Sequence, residues 1–175
     1  MAISRIGHAG LPTGAVLQVV QDVKLDTFTT TSTSFTDVTG LSVDITPSST
    51  SSKVLVLVHC PITMGDAGGG MTLVRGSTEI FRADAGSSRQ RFTATGLYGI
   101  DESQYSGGIG TSIFLDSPSS TSSLTYKVQV KIRATTLYVG RTVFDTDNDN
   151  ASRHTSSITV MGSICNFLLS IGTTV

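Results

Sequence analysis

Ten consecutive residues, Leu124 to Arg133, alternate without a break. Leu124, Tyr126, Val128, Val130 and Ile132 fall on one side of an extended backbone, and Thr125, Lys127, Gln129, Lys131 and Arg133 on the other. Side chains of a strand alternate with period two, so the segment predicts a strand with one dry and one wet face. A dry face has to be covered, which calls for a second layer. The run Val54-Leu55-Val56-Leu57-Val58-His59-Cys60 after Lys53 is almost continuously apolar, with valine at every second place. It predicts a buried strand that stops at Pro61, where the backbone donor is lost.

Further strands are expected at Ala15 to Gln21, Thr27 to Thr31, Thr36 to Ile45, Met71 to Val74, Glu79 to Ala83, Phe92 to Ile100, Ser112 to Asp116 and Ser157 to Cys165. Met71–Val74 and Glu79–Arg82 flank Arg75-Gly76-Ser77-Thr78, the layout of a hairpin with a short glycine-containing loop. No amphipathic helix is evident, although Phe167 to Ile171 fits a short turn. Short strands separated by Gly, Ser, Asn and Pro clusters, with no helices between them, predict an all-β antiparallel sandwich of the jelly-roll kind. Pro47-Ser48-Ser49-Thr50-Ser51-Ser52 recurs letter for letter as Pro118-Ser119-Ser120-Thr121-Ser122-Ser123. Each copy reads as a polar connection between strands; they are either convergent turns or equivalent connections in two halves of a sandwich.

Three parts are expected: an N-terminal arm over 1–14, punctuated by Gly7, Gly10, Pro12 and Gly14; a sandwich over 15–165; and an apolar tail over 166–175. The arm is either a flexible tail or a segment that orders against a partner. Charged residues are 14% of the chain against about 25% in an average domain, the net charge is −1, and Ser and Thr fill about fifty positions. That balance excludes the electrostatic footprint of a nucleic-acid binder. No apolar run is long enough to cross a membrane and none resembles a signal peptide, so a soluble chain made in a cytoplasm is expected. Cys60 and Cys165 fit no metal or redox spacing; buried free thiols are expected, with a disulfide as the alternative.

Chemistry is sparse. His8 lies in the arm, His59 in the strongest strand, where a core or interface position is expected, and His154 in a polar loop. No G-x-S-x-G elbow occurs, and no cofactor is expected. Asp145, Asp147 and Asp149 alternate as at the start of a calcium loop, but Asn150 stands where that loop needs Gly and Ser156 where it needs Glu. A hydrated loop tip is the plainer reading, and the metal reading is carried only as a partial match. Gly65–Gly70 and Gly107–Gly110 lack the setting of a phosphate loop. Loops around Asp66, Tyr105, Asp147 and Asn148 are candidate contact surfaces, with Tyr98, Tyr105 and Tyr138 as aromatic anchors unless the core takes Tyr98 and Tyr138.

Gly14-Ala15-Val16-Leu17-Gln18-Val19-Val20, the stretch from Thr31 to Pro47, and Ser51-Ser52-Lys53-Val54-Leu55-Val56 resemble a domain of tailed-bacteriophage virion proteins, including cyanophage and marine phage examples. Leu73–Ile80, Phe114–Pro118 and Ser157–Met161 look like the same pattern, and the similarity runs over roughly residues 14 to 165. The resemblance implies a β-sandwich, usually a homotrimer on the virion surface, in tail fibres or in head fibre and cement proteins. It brings no catalytic site. This chain departs from a long fibre in having no heptad run and no repeat, which leaves a short fibre, a tip or adaptor module, or a decoration protein.

The leading expectation is therefore a non-enzymatic virion component, a tail-fibre or receptor-contacting module. Ile3, Arg5, Ile6, Leu11 and Pro12 of the arm would anchor it on another virion protein of the tail, baseplate or capsid. Its outer loops would meet a host glycan or protein, with no nucleic acid and no membrane insertion. A capsid cement protein is the alternative. A glycan-cleaving tailspike is a third, and would need Asp101, Glu102 and the Asp145 cluster to converge on one groove.

Overall fold

A computed structural model describes residues 15–65, 68–98 and 108–163, with the backbone alone at Leu97 and Tyr98. Its strands are, in chain order, β1 (Val16–Lys24), β2 (Phe28–Thr30), β3 (Thr36–Ile45), β4 (Val54–Cys60), β5 (Ile62–Met64), β6 (Gly69–Arg75), β7 (Thr78–Phe81), β8 (Leu97–Tyr98), β9 (Gly110–Asp116), β10 (Leu124–Ile132), β11 (Leu137–Val139) and β12 (Ser156–Ser163). The described residues contain no helix.

Two four-stranded sheets carry the fold, β1-β12-β4-β9 and β3-β10-β6-β7, and a third, β2-β11-β5-β8, is made of short strands. The eight long strands have a simple relationship. The first pairs the last (β1 with β12), the second the seventh (β3 with β10), the third the sixth (β4 with β9) and the fourth the fifth (β6 with β7), all antiparallel. The chain is thus one long two-stranded ribbon with its tip at Gly76-Ser77. Rolling that ribbon adds the β12–β4 and β10–β6 pairings and yields a jelly roll, as expected from the alternation.

Each short strand sits where the ribbon crosses between sheets: β2 after β1, β5 after β4, β8 after β7 and β11 after β10. They pair β2–β11 and β11–β5 antiparallel and β5–β8 parallel, and so cap one end of the sandwich. The opposite end holds the ribbon tip and the two identical serine-rich connections. These join the same strand pairs, since Val54 faces Asp116 and Ile45 faces Leu124. They therefore cross the sandwich side by side, and Lys53 Nζ donates to Ser117 Oγ at 2.6 Å between them. They share one local bond, Ser51 N to Ser49 Oγ and Ser122 N to Ser120 Oγ, but not the whole backbone path, since Ser119 has a φ of 50° and its counterpart Ser48 does not have positive φ.

Alternation is obeyed where it was clearest. Tyr126, Val128, Val130 and Ile132 of β10 are buried, as are Val54, Val56, Val58 and Cys60 of β4 and Ile158 and Val160 of β12. Each fully buried aliphatic side chain stabilises the sandwich by about 1.5–3 kcal/mol, an upper range because the unfolded chain is partly compact. Along one open side, Phe81 of β7 stacks on Phe114 of β9 with ring centroids 4.7 Å apart, closing the gap between the two sheets. The expected hairpin is present, with a two-residue loop. Gly76 has φ +60 and Ser77 does not have positive φ, the pattern of a type II′ turn.

Three expectations need correction. The strand expected from Phe92 to Ile100 is, within the described residues, the two-residue β8, preceded by a segment that crosses the outside of β6. There Thr93 N donates to Met71 O and Met71 N to Ala94 O, both at 2.8 Å. Gly70 permits this approach, since a Cβ on it would lie 2.6 Å from Ala94 O. β1 runs on to Lys24, whose buried stem carries its ammonium out to Asp26 at 2.8 Å. The strands β5 and β11 were not anticipated, because three residues are too few to show a period.

Candidate functional site

The outer face of the first sheet stands out by its chemistry. Register places Val19, Met161, Leu55 and Leu115 in one row across the four strands. The next row is Gln21, Thr159, Leu57 and Ile113, and the row nearest the cap is Val23, Ser157, His59 and Thr111. None of these positions holds Lys, Arg, Asp or Glu. Val19, Val23 and Ile113 are 57%, 48% and 69% exposed, on the two edge strands. An outer sheet face in a sandwich ordinarily alternates to polar residues, so this one breaks the rule. Sequence reading took Val54–Cys60 as a buried strand. Instead Leu55, Leu57 and His59 point outward, because a continuous apolar run does not reveal which half of it faces the core.

The second sheet obeys the rule. On its outer face Asp37 accepts from Lys127 Nζ at 2.8 Å and from Gln129 Nε2 at 2.7 Å, and Thr125 donates to Asp44 at 2.5 Å. The hydrogen bond from Lys127, together with that from Gln129, holds the Asp37 carboxyl below its usual range. Lys131 lies 4.9 Å from the ring centroid of Phe35 and 5.7 Å from that of Phe92.

The loop with the alternating aspartates belongs to the connection from β11 to β12. Asp145 does not point to a cation-binding centre: Arg153 grips both its oxygens at 2.8 and 2.7 Å, and Arg141 approaches at 3.4 Å. Arg141 itself lies over Tyr138 at 4.0 Å from the ring centroid, so Tyr138 is a half-buried platform for that guanidinium. Asp147 and Asp149 are exposed, and Asn148 organises the loop tip by accepting from Asn150 N and Ala151 N. Among the described residues no three His, Cys, Asp or Glu are grouped to hold a metal. The partial calcium pattern therefore describes a loop tip tied down by two arginines.

His59 and His154 line one open groove of about 550 Å³, with Pro61, Ile109, Arg153 and Thr155. His154 Nε2 is 3.1 Å from Ser152 Oγ. Of the core or interface position expected for His59, the core is excluded, since its ring is exposed on the sheet's outer face. That these two histidines share a groove is not legible in the sequence, because only the β12–β4 register places the segment before β12 beside the end of β4.

Inside the sandwich, Asp116 Oδ2 accepts from Tyr126 OH at 2.6 Å and from Arg75 Nη1, while Asp116 Oδ1 accepts from Ser117 N at 2.8 Å. Burial, and then the bond to Asp116, raises the Tyr126 phenol above its ordinary range. Desolvation works against the Arg75 charge, but Asp116 holds it above its usual value. Cys60 is a buried free thiol that burial pushes up to about 12. This cluster and this thiol are interior and serve packing.

Ile3, Arg5, Ile6, Leu11, Pro12, His8, Asp66, Asp101, Glu102, Tyr105 and Cys165, and the expected turn at Phe167 to Ile171, lie outside the described residues, as does the side chain of Tyr98. Asp66 and Tyr105 fall in sequence between β5 and β6 and between β8 and β9, strands whose flanking ends are at the cap, the end that also holds the 145–150 loop. β1 begins, and β12 finishes, at the opposite end, where Ser163 N donates to Lys53 O at 3.0 Å. No protein-family model matches the chain, and no curated protein matches it.

Proposed function

We propose that this chain is a non-enzymatic structural module of a bacteriophage virion, a short tail-fibre or receptor-contacting component. The observation that carries the reading is the polarity of the jelly roll. The segment carrying Ile3, Arg5, Ile6, Leu11 and Pro12 joins the sandwich at the serine-turn end. The strand ends flanking Asp66 and Tyr105, and the loop with Asp147 and Asn148, belong to the other end. A module held at one end and reading a surface with loops at the other has this layout, because rigid strands position adaptable loops. The resemblance of its strand phrases to tailed-phage virion domains supports the same reading. On this reading the protein is made in the host cytoplasm and resides on the virion surface, as a homotrimer joined to a tail, baseplate or capsid protein, and its outer loops meet a host glycan or protein.

Immunogold labelling of intact particles, with and without deletion of residues 1–13, tests it. The expected outcome is labelling at the tail that disappears with the deletion. Label on the head would replace the reading by that of a decoration protein, and absence from particles would overturn it.

A further inference from the structure

We propose that the uncharged outer face of the first sheet is the surface through which copies of this chain pack against one another. The inference rests on the assembly role proposed above and names the surface that serves it. Rows running from Val19 to Leu115 and from Val23 to Thr111 make the face continuous from edge to edge. The face's most exposed apolar side chains, Val19, Val23 and Ile113, sit on β1 and β9 beside the uncharged Gln21 and Thr111, so nothing charged rims the face along these two sides. Edge strands normally carry lysine, proline or inward charge to discourage pairing. Here the charges of the two edge strands, Asp22 and Lys24 on β1 and Asp116 on β9, all fall on the inner side, so the outer side of both edges is uncharged.

The polar groups within the face favour burial. Gln21 Nε2 donates to Thr159 Oγ1 at 2.8 Å in the plane of the sheet, so this pair already has a partner when water leaves. Lys53, at the serine-turn end, donates to Ser117 and marks where the uncharged region stops. Four strands at about 4.8 Å spacing and seven residues at about 3.3 Å rise give a face of roughly 19 by 23 Å. Side chains standing on it raise the accessible area towards the roughly 800 Å² that each partner contributes to a standard interface. A partner for such a surface has to be uncharged across the whole patch and mostly apolar. A second copy meets that condition by construction, since an isologous contact sets the patch against itself and a ring sets three copies around one axis.

Sedimentation of the purified full chain at micromolar concentration, alongside Ile113→Lys, Leu57→Lys and the opposite-face control Ser42→Lys, tests the inference. Ile113 is exposed on an edge strand, and urea unfolding of each variant confirms that it remains folded. The wild type and Ser42→Lys are expected to sediment as two or three chains. Ile113→Lys and Leu57→Lys are expected to sediment as one, with a dissociation constant raised at least about 30-fold, the loss of one interfacial hot spot. A wild type that is monomeric throughout, or folded lysine variants that associate as it does, overturns the inference. A monomer found on particles would remove this interface and the homotrimer, and leave the virion role standing. An oligomer absent from particles would do the reverse.

Discussion

Tyr126 and Asp116 join the two sheets of the sandwich from inside: the phenol on β10 donates to the carboxylate at the end of β9 across 2.6 Å, with neither side chain open to bulk water. Arg75 donates to the same oxygen, so the buried carboxylate has a cationic partner as well as the phenol.

Removing the phenol should therefore cost less than removing the acid. Tyr126→Phe loses one hydrogen bond to a charged group and should destabilise by about 1.5–3 kcal/mol. Asp116→Ala strands both the guanidinium and the phenol and should cost about 3–5 kcal/mol. Urea unfolding of the two variants, each measured below the concentration at which chains associate, compares them directly; equal losses would mean that Arg75 and Tyr126 find other partners.

Two buried acids that stay neutral should make the fold sensitive to alkali. The Cys60 thiol and the Tyr126 phenol both have folded values above their unfolded ones, the thiol at about 12. Their contribution is complete below the unfolded values, about 8.5 and 10, and is lost as pH rises from there towards the folded ones, because only the unfolded chain then releases the protons. Unfolding free energy should thus fall from about pH 9 upward. Cys60→Val should remove the part of the slope that begins at the thiol's value. An unchanged slope in that variant would show that the thiol is accessible in the folded state.

Gly70 should resist substitution more than Gly76 does. A Cβ at Gly70 meets Ala94 O and the Phe92 ring, so Gly70→Ala should displace the segment over β6 and cost about 1–3 kcal/mol. At Gly76 nothing lies within 4 Å, and only the positive φ matters. Gly76→Asn should then cost less than about 1 kcal/mol, since Asn tolerates that region, and Gly76→Val distinctly more. Thermal unfolding of the three variants gives the order.

Calcium should not stabilise the 145–150 loop, because both oxygens of Asp145 are already held by Arg153. The melting temperature should be the same in millimolar calcium and in chelator. Arg153→Ala should free Asp145 and loosen the loop without changing that result. A calcium-dependent rise in the wild type would show that Asp147 and Asp149 recruit the ion after all.

Much of this architecture is written in local sequence. The two faces of β10, the end of β4 at Pro61 and the hairpin around Gly76 follow from period two and turn chemistry over a few residues. What could not be read is whatever depends on register between distant strands. Leu55, Leu57 and His59 look like core until β4 is placed between β12 and β9, and only then does their side become the uncharged face. His154 comes to line a groove with His59 by the same pairing. Arg141, Asp145 and Arg153 carry no motif, since an ion triplet across a loop has no fixed spacing. The twin serine connections were visible as text, but their adjacency comes from the winding of the ribbon.

That winding also orders events in time. Only the Gly76-Ser77 tip brings paired residues together at short chain separation; every later pair along the ribbon joins segments farther apart, ending with β1 against β12. Loop-closure entropy grows with that separation, so zippering from the tip is the least costly route to the native state, and a domain so rich in non-local pairings folds slowly. The two strands that meet last are the ones that carry the chain's ends, so β1 should be the last strand to gain protection from hydrogen exchange and the first to lose it.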